Sequence, residues 1–493
     1  MRLALVTALI AGAASPALGA SVGKRSESLK ERSTATTAAA WASSSDGAYK
    51  LSSWQAPVQG TGSPGSYSTW SFTVNDGSSG HKQTVKGFGA AVTDATVSVF
   101  NGLSSASQTS LLNSLLTSSG AGFSLFRHTI ASSDLSADPA YTYDDNGGSV
   151  DTSLSGFNLG DRGTAMAKLM AKMKTVNSAV SFLGSPWSPP GWMKLNNVID
   201  GTTTNNNINH AYYSEWAQYF VKYLQQYQSL GAPIDAITIQ NEPLNSNAGF
   251  PTCYIYDSEA GSFIQNNLGP ALKSAGLSTQ IWAYDHNTDQ PQYPKDVIAA
   301  ASSYVGGVAW HCYASSLDWT VLTSFHNSYP NVPQYMTECW TSPQTGWDWA
   351  ASFTMGPLQN WAQGAMAWTL GSDTSYGPHL SGSGACTTCR GLFEVDTAAG
   401  TYSFAIDYYM MAQFSKYIPR GAIILAGTGS YTYSDGTGLE SVASLNPDGT
   451  RTIVFLNKFN NDVYITTTLS GSSQTWSGLV YKNSVTTWTL PSA

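Results

Sequence analysis

Apolar residues along this chain recur with two different periods, and the change of period divides it. Tyr212, Tyr213, Trp216, Tyr219, Phe220, Tyr223, Leu224 and Tyr227 fall three and four apart, the signature of one helix face packed on a sheet. Between residues 86 and 418, helical patterns of this kind separate apolar strand-like runs that end at Thr93, Ala131, Ser188, Pro243, Asn287, Tyr313, Trp340 and Asp373. Such runs are strands buried on both faces, as in a parallel sheet with helical crossovers, and eight of them close a (β/α)8 TIM barrel. The last helix, expected over residues 404–418, stops at Pro419. After Arg420 the period falls to two. Residues 439–445, 452–456, 463–469 and 485–490 alternate between Gly, Asp and Asn turns, which predicts antiparallel strands in a β-sandwich of about five to seven strands. The Ser-, Thr- and Gly-rich residues 33–85 carry strand-like pieces, such as 68–74, with nowhere to pair except that sandwich. The expected architecture is therefore α/β: a (β/α)8 barrel over 86–418, with an appended β-sandwich side domain built from 419–493 and 33–85.

The amino-terminal residues stand outside this scheme. Residues 1–20 run from basic Arg2 through an apolar stretch to small Ala17, Gly19 and Ala20, the order of a secretory signal peptide. Lys24-Arg25 and Lys30-Glu31-Arg32 then mark residues 21–32 as a basic pro-segment. The apolar stretch is too short to span a bilayer, so a secreted, extracellular product with no membrane partner is expected. Five cysteines suit that compartment. Cys386 and Cys389 are close enough for a local disulfide, whereas the odd count leaves at least one thiol free and the other pairing open.

Composition narrows the ligand. Charged residues are 11% and the net charge is −8, and the first 32 residues hold five basic against two acidic groups, so the remainder is more acidic still. Nucleic acid, which needs clustered positive charge, is a poor partner. Sixteen Trp and 26 Tyr on a weakly charged surface suit stacking against neutral, hydroxyl-rich ligands, sugars first. A monomer is expected.

In a barrel the chemistry sits at the carboxyl ends of the strands. Beyond residue 32 there are six glutamates, and two of them, Glu242 and Glu338, close strand-like runs, the fourth and the seventh. Glycosidic cleavage needs such a pair, one carboxylic acid to protonate the leaving oxygen and one carboxylate to attack or to activate water. No Gly-x-Ser-x-Gly elbow supports serine hydrolase chemistry. The seven histidines are scattered without HxH or HExxH spacing, so neither a metal site nor a cofactor is expected.

Six ordered motifs then resemble glycoside hydrolase family 30: Gly87-Phe-Gly-Ala-Ala-Val-Thr-Asp94, Phe126-Arg-His-Thr-Ile-Ala-Ser-Ser-Asp134, Ser185-Pro-Trp-Ser-Pro-Pro-Gly-Trp-Met-Lys194, Thr238-Ile-Gln-Asn-Glu-Pro-Leu244, Trp310-His-Cys-Tyr313 and Thr337-Glu-Cys339. Gly377-Pro-His-Leu380 with Cys386-Thr-Thr-Cys-Arg-Gly391 resembles the fungal endo-β-1,6-glucanase branch rather than the glucosylceramidase branch. The resemblance implies a retaining mechanism on a neutral β-glucan, with Glu242 as acid/base and Glu338 as nucleophile. It makes Asn241 the contact to the sugar 2-hydroxyl. It also places Asp94, Asp134, Trp187, His311, Tyr313 and Trp368 around the innermost sugar. Arg127, at the second strand end, is the natural partner to keep Glu338 ionised. Charge from Glu338 is expected to raise the pKa of Glu242. Trp192, Tyr284 and Trp340 are expected to extend the cleft. The alternatives are another activity of the same family, such as glucosylceramidase, β-1,4-xylanase or a β-glycosidase, and a non-enzymatic carbohydrate-binding wall protein.

Overall fold

The computed structural model describes residues 37–492; the signal peptide and pro-segment expected over 1–32 lie outside the described residues. Eight parallel strands close a barrel: β1 (Gly87–Val92), β2 (Leu125–Ile130), β3 (Ser181–Pro186), β4 (Ala236–Ile237), β5 (Gln280–Asn287), β6 (Val305–His311), β7 (Gln334–Trp340) and β8 (Ala362–Trp368). The fold is thus the TIM barrel with a β-sandwich that the sequence periods predict. Two strand boundaries differ. The eighth strand ends at Trp368, and Gly371–Asp373 belongs to a separate three-stranded sheet with Phe393–Asp396 and Thr401–Phe404. Regular pairing on the fourth strand covers only two residues, because the chain beyond it makes isolated bonds, Thr238 N to Gly184 O and Asn241 N to Pro186 O.

The barrel interior is filled from below by Leu125, Leu183, Ala236, Trp282, Ala309, Tyr335 and Met366. Trp282 and Tyr335 stack there with ring centroids 3.8 Å apart. Outside, the helix Tyr213–Ser229 buries Trp216, Tyr219, Phe220, Tyr223, Leu224 and Tyr227, the residues whose spacing predicts it. Its tyrosines pack on Tyr143 and on the His128 ring of β2. Burying aromatic side chains of 150–250 Å² each makes this face a dominant part of the core.

An eight-stranded sheet faces a four-stranded one to form the sandwich, more strands than the C-terminal alternation alone suggests. The larger sheet takes Ala39–Ser44 beside Ser484–Leu490, and His81–Thr84 beside Ile423–Leu425; the smaller takes Ser68–Val74 parallel to Val463–Leu469. The larger sheet is apolar on both faces. Leu439, Ile453, Phe455 and Trp488 point between the sheets, whereas Val442, Val454, Leu456 and Val485 belong to the core shared with the barrel. Gln413 and Gln359, on barrel helices, bond Ser43 and Ser441 across that boundary. Cys312–Cys339 and Cys386–Cys389 form disulfides, and Cys253 is a buried free thiol. Among the described residues no helix is long and apolar enough to cross a membrane.

Candidate active site

A cleft of about 240 Å³ opens at the carboxyl ends of the barrel strands, lined by Asp134, Trp187, Asn241, Glu242, Asn245, Phe250, Tyr313, Glu338, Trp340, Trp368 and the Cys386–Cys389 loop. A larger hollow, about 380 Å³, lies where the strands begin, but Asp235 is the only carboxylate in its wall, so it offers no acid and nucleophile pair.

The floor of the cleft is an ionic network built from five strand ends. Arg127, fully buried on β2, ion-pairs with Glu338 at the end of β7 and donates from Nη2 to Asn241 Oδ1 (2.6 Å) and Asp285 Oδ2 (2.8 Å). Its guanidinium lies 4.8 Å below the Trp187 ring, which stacks on Trp368 with centroids 5.0 Å apart. One fork of five donors can satisfy three acceptors at once, which a lysine ammonium in this position does not do with the same geometry. Because Asn241 Oδ1 faces Arg127, its amide nitrogen is left as the donor toward the cleft. Tyr313 donates its hydroxyl to Glu338 Oε1 (3.0 Å).

Asp285 is the residue that sequence reading missed. Tyr284 (φ 82°) and Asp285 (φ 65°) adopt left-handed backbone, and the pairing of β5 with β6 slips at this point. Such a bulge turns a side chain out of its expected alternation. The Asp285 carboxylate thereby points into the barrel and accepts from Ser185, Thr238, Thr337, Arg127 and His311 at 2.7–3.0 Å. Burial opposes its ionisation, but Arg127 and His311 outweigh that and hold it far below the carboxylate range. The bulge also brings His286 beside Glu242, with His286 Nδ1 3.6 Å from Glu242 Oε1. The signal in the sequence was the pair Asp285-His286 ending an apolar strand, two polar residues where a barrel strand meets its mouth.

His311 links the two glutamates. Its Nδ1 lies 3.1 Å from Glu242 Oε1 and 3.7 Å from Glu338 Oε1, and its Nε2 lies 3.0 Å from Asp285. Burial disfavours the imidazolium, but Glu338, Asp285 and Glu242 together raise its pKa to about 9. For Glu242, burial favours the neutral acid, yet the flanking imidazoles of His286 and His311 outweigh it and hold the carboxyl low, in place of the rise expected from Glu338. For Glu338, burial raises the pKa, opposed by His311 and Arg127 and reinforced by Glu242. Glu242 itself has φ 45°, and Asn245 donates to its Oε2 at 2.8 Å. A non-glycine residue in that region stores backbone strain, a feature concentrated at functional sites.

Of the other expected contacts, Asp134, Trp187, Asn241, Tyr313, Trp340 and Trp368 reach the cleft wall. Asp134 accepts from the Cys386 backbone N–H (3.1 Å), and burial, with Glu338 and Glu242 adding to it, raises its pKa to about 7. Arg127 and His311 lie beneath the cleft rather than on it. The Asp94 carboxylate, in the first turn of a helix, accepts from Ser136, Tyr141 and Arg162. Trp192 and Tyr284 are core residues, their polar atoms satisfied by Asp144 O and Asn287 O.

A family model, the TIM-barrel domain of glycosyl hydrolase family 30, matches residues 85–418. The chain belongs to glycosyl hydrolase family 30. The beta-sandwich domain model of family 30 matches residues 426–488. The chain is 66% identical over 457 residues to an endo-1,6-beta-D-glucanase of Neurospora crassa, covering 92% of this chain and 95% of that one. It is 60% identical to an endo-1,6-beta-D-glucanase of Trichoderma harzianum over the full length of both. Among solved structures, the endo-beta1,6-glucanase BT3312 superposes with a TM-score of 0.81 at 27% identity, covering 93% of this chain and all of that one. A family 30 member with two strand-end glutamates in a sugar-sized cleft is a glycosidase.

Proposed function

We propose that this family 30 enzyme is a secreted, retaining endo-β-1,6-glucanase in which Glu242 is the acid/base and Glu338 the nucleophile. The observation that carries the reading is the shared imidazole. Both carboxylates approach one nitrogen of His311, which favours the short carboxyl spacing of retaining enzymes over the wider gap that admits a water. The linkage follows the relatives, whose names state that they act on 1,6-β-glucan. Two disulfides and the signal-like residues 1–20 support an extracellular setting.

The raised pKa of His311 and the lowered pKa of Glu242 favour the acid-catalytic proton on His311, one hydrogen bond from Glu242. A sugar entering the cleft displaces water and disfavours separated charges, so the neutral pair, protonated Glu242 with neutral His311, gains over the ion pair. Glu338 then attacks the anomeric carbon as the glycosidic C–O bond breaks, and the leaving oxygen takes the proton from Glu242. The new ester removes the charge of Glu338. Glu242, now a carboxylate, draws a proton from water as that water attacks the same carbon, restoring Glu338 and the acid. Asn241 holds the 2-hydroxyl, and Trp187 and Trp368 give the cleft an aromatic wall.

Replacing the nucleophile, Glu338→Gln, is expected to reduce turnover by several orders of magnitude on every substrate. Glu242→Ala is expected to glycosylate readily from an activated aryl β-glucoside, whose leaving group needs no proton, and to yield a β-glycosyl azide when azide is added. An α-configured azide product overturns the assignment. Release of reducing ends from linear β-1,6-glucan, with little from xylan or glucosylceramide, checks the substrate.

A further inference from the structure

We propose that Glu242, His286 and His311 form a site for a soft-to-borderline transition-metal dication such as Zn²⁺ or Cu²⁺, and that occupancy shuts off hydrolysis. The three residues come from the ends of β4, β5 and β6, so no sequence spacing announces them. Glu242 Oε1 lies 3.1 Å from His311 Nδ1 and 3.6 Å from His286 Nδ1, and all three donor atoms fall within 4.8 Å of one another. Ligands held tetrahedrally around zinc at about 2.0–2.1 Å stand about 3.3 Å apart, so small side-chain shifts complete the geometry. Two imidazoles and one carboxylate are one of the donor sets of catalytic zinc sites, with a fourth position left for solvent, which here is the cleft.

Two further observations point to a ligand. His286 Nδ1 is buried and makes no hydrogen bond, an unfilled position beside a carboxylate. His311 Nε2 is committed to Asp285 at 3.0 Å, which leaves Nδ1 as the atom facing Glu242. That carboxylate–histidine arrangement is the usual support behind a metal-binding imidazole. Glu338 and Asp285 add negative charge around the position. Mg²⁺ and Ca²⁺ prefer all-oxygen shells and are poorly served by two imidazoles.

Binding occupies the Glu242 oxygen that would hand the proton to the leaving group, so acid catalysis stops. The inhibitory consequence rests on Glu242 being the acid/base; the binding does not. The test therefore reads the two separately. With the full-length secreted enzyme in chelator-free buffer, Co²⁺ as a spectroscopic stand-in is expected to give the visible absorption of a four-coordinate N/O site. Zn²⁺ is expected to inhibit β-1,6-glucan hydrolysis reversibly, with activity restored by EDTA and no effect from Mg²⁺. His286→Phe and His286→Gln, each checked for folding by circular dichroism, are expected to weaken both readouts about tenfold or more, whatever their residual activity. Absence of the Co²⁺ spectrum in the wild type, or inhibition and spectrum unchanged in both variants, overturns the site. A His286-dependent spectrum without inhibition upholds the site and overturns the role of Glu242.

Discussion

At the scale of single residues, the cleft is a problem of sharing protons among buried carboxylates with few cations. Arg127 neutralises Asp285 and supports Glu338, and His311 bridges what is left. Asp134 receives a backbone N–H but no cation, so burial leaves its pKa near 7. The consequence for stability has a definite sign. A carboxyl raised from about 3.9 in the unfolded chain to about 7 in the fold favours folding while protonated. Its stabilising contribution is full below pH ~4 and is lost as pH rises toward 7. Asp134→Asn removes that dependence. The melting temperature of the wild type is expected to fall relative to the variant between those pH values, as measured by scanning calorimetry. A pH-independent difference contradicts the raised pKa.

Secondary-structure elements and loops set the walls. The bulge in β5 re-aims Asp285 and His286, and the loop carrying Cys386–Cys389 closes the side of the cleft. That loop meets the one after β4 backbone to backbone: a Cβ on Gly382 would stand 1.5 Å from Gly249 O, so only glycine permits the approach. It also supplies two N–H donors to residue 134, Leu380 to its carbonyl and Cys386 to its carboxylate. The double variant Cys386→Ser with Cys389→Ser frees this segment. It is expected to raise KM for β-1,6-glucan more than it lowers kcat, because the loop positions a sugar contact and not the reacting carboxylates. Loop-closure entropy for so short a ring limits the loss of stability to about 2 kcal/mol. An unchanged KM in steady-state kinetics contradicts the positioning role.

For the whole molecule, the sandwich is part of the barrel's core. Val442, Val454, Leu456 and Val485 are buried against barrel helices, and Thr487 and Ser43 bond Gln413. Placing an unpaired carboxylate there costs several kcal/mol. Val454→Asp is therefore expected to lower the melting temperature of the sandwich and the barrel together, in one calorimetric transition, while the soluble fraction keeps the wild-type KM at low temperature. Two separated transitions would show that the sandwich folds independently of the barrel.

Hydrophobic periodicity alone specifies the barrel, the sandwich and the two strand-end glutamates. Strand ends must face the barrel mouth wherever the barrel closes, so Glu242 and Glu338 are legible from the strand pattern alone. The expectations for Trp187, Asn241 and Tyr313 rest instead on the resemblance of their motifs to family 30. Periodicity reports which local face is buried; it carries no information about which loops meet or where alternation breaks. Asp94 ends a run just as Glu242 does, yet Ser136, Tyr141 and Arg162 claim its oxygens. Asp285 sits inside a strand and reaches the centre only because a bulge reverses its direction. Cys312 and Cys339 pair because β6 and β7 are neighbours in the closed sheet. Adjacency, register and the partners of each buried charge are long-range properties, and only the closed barrel decides them.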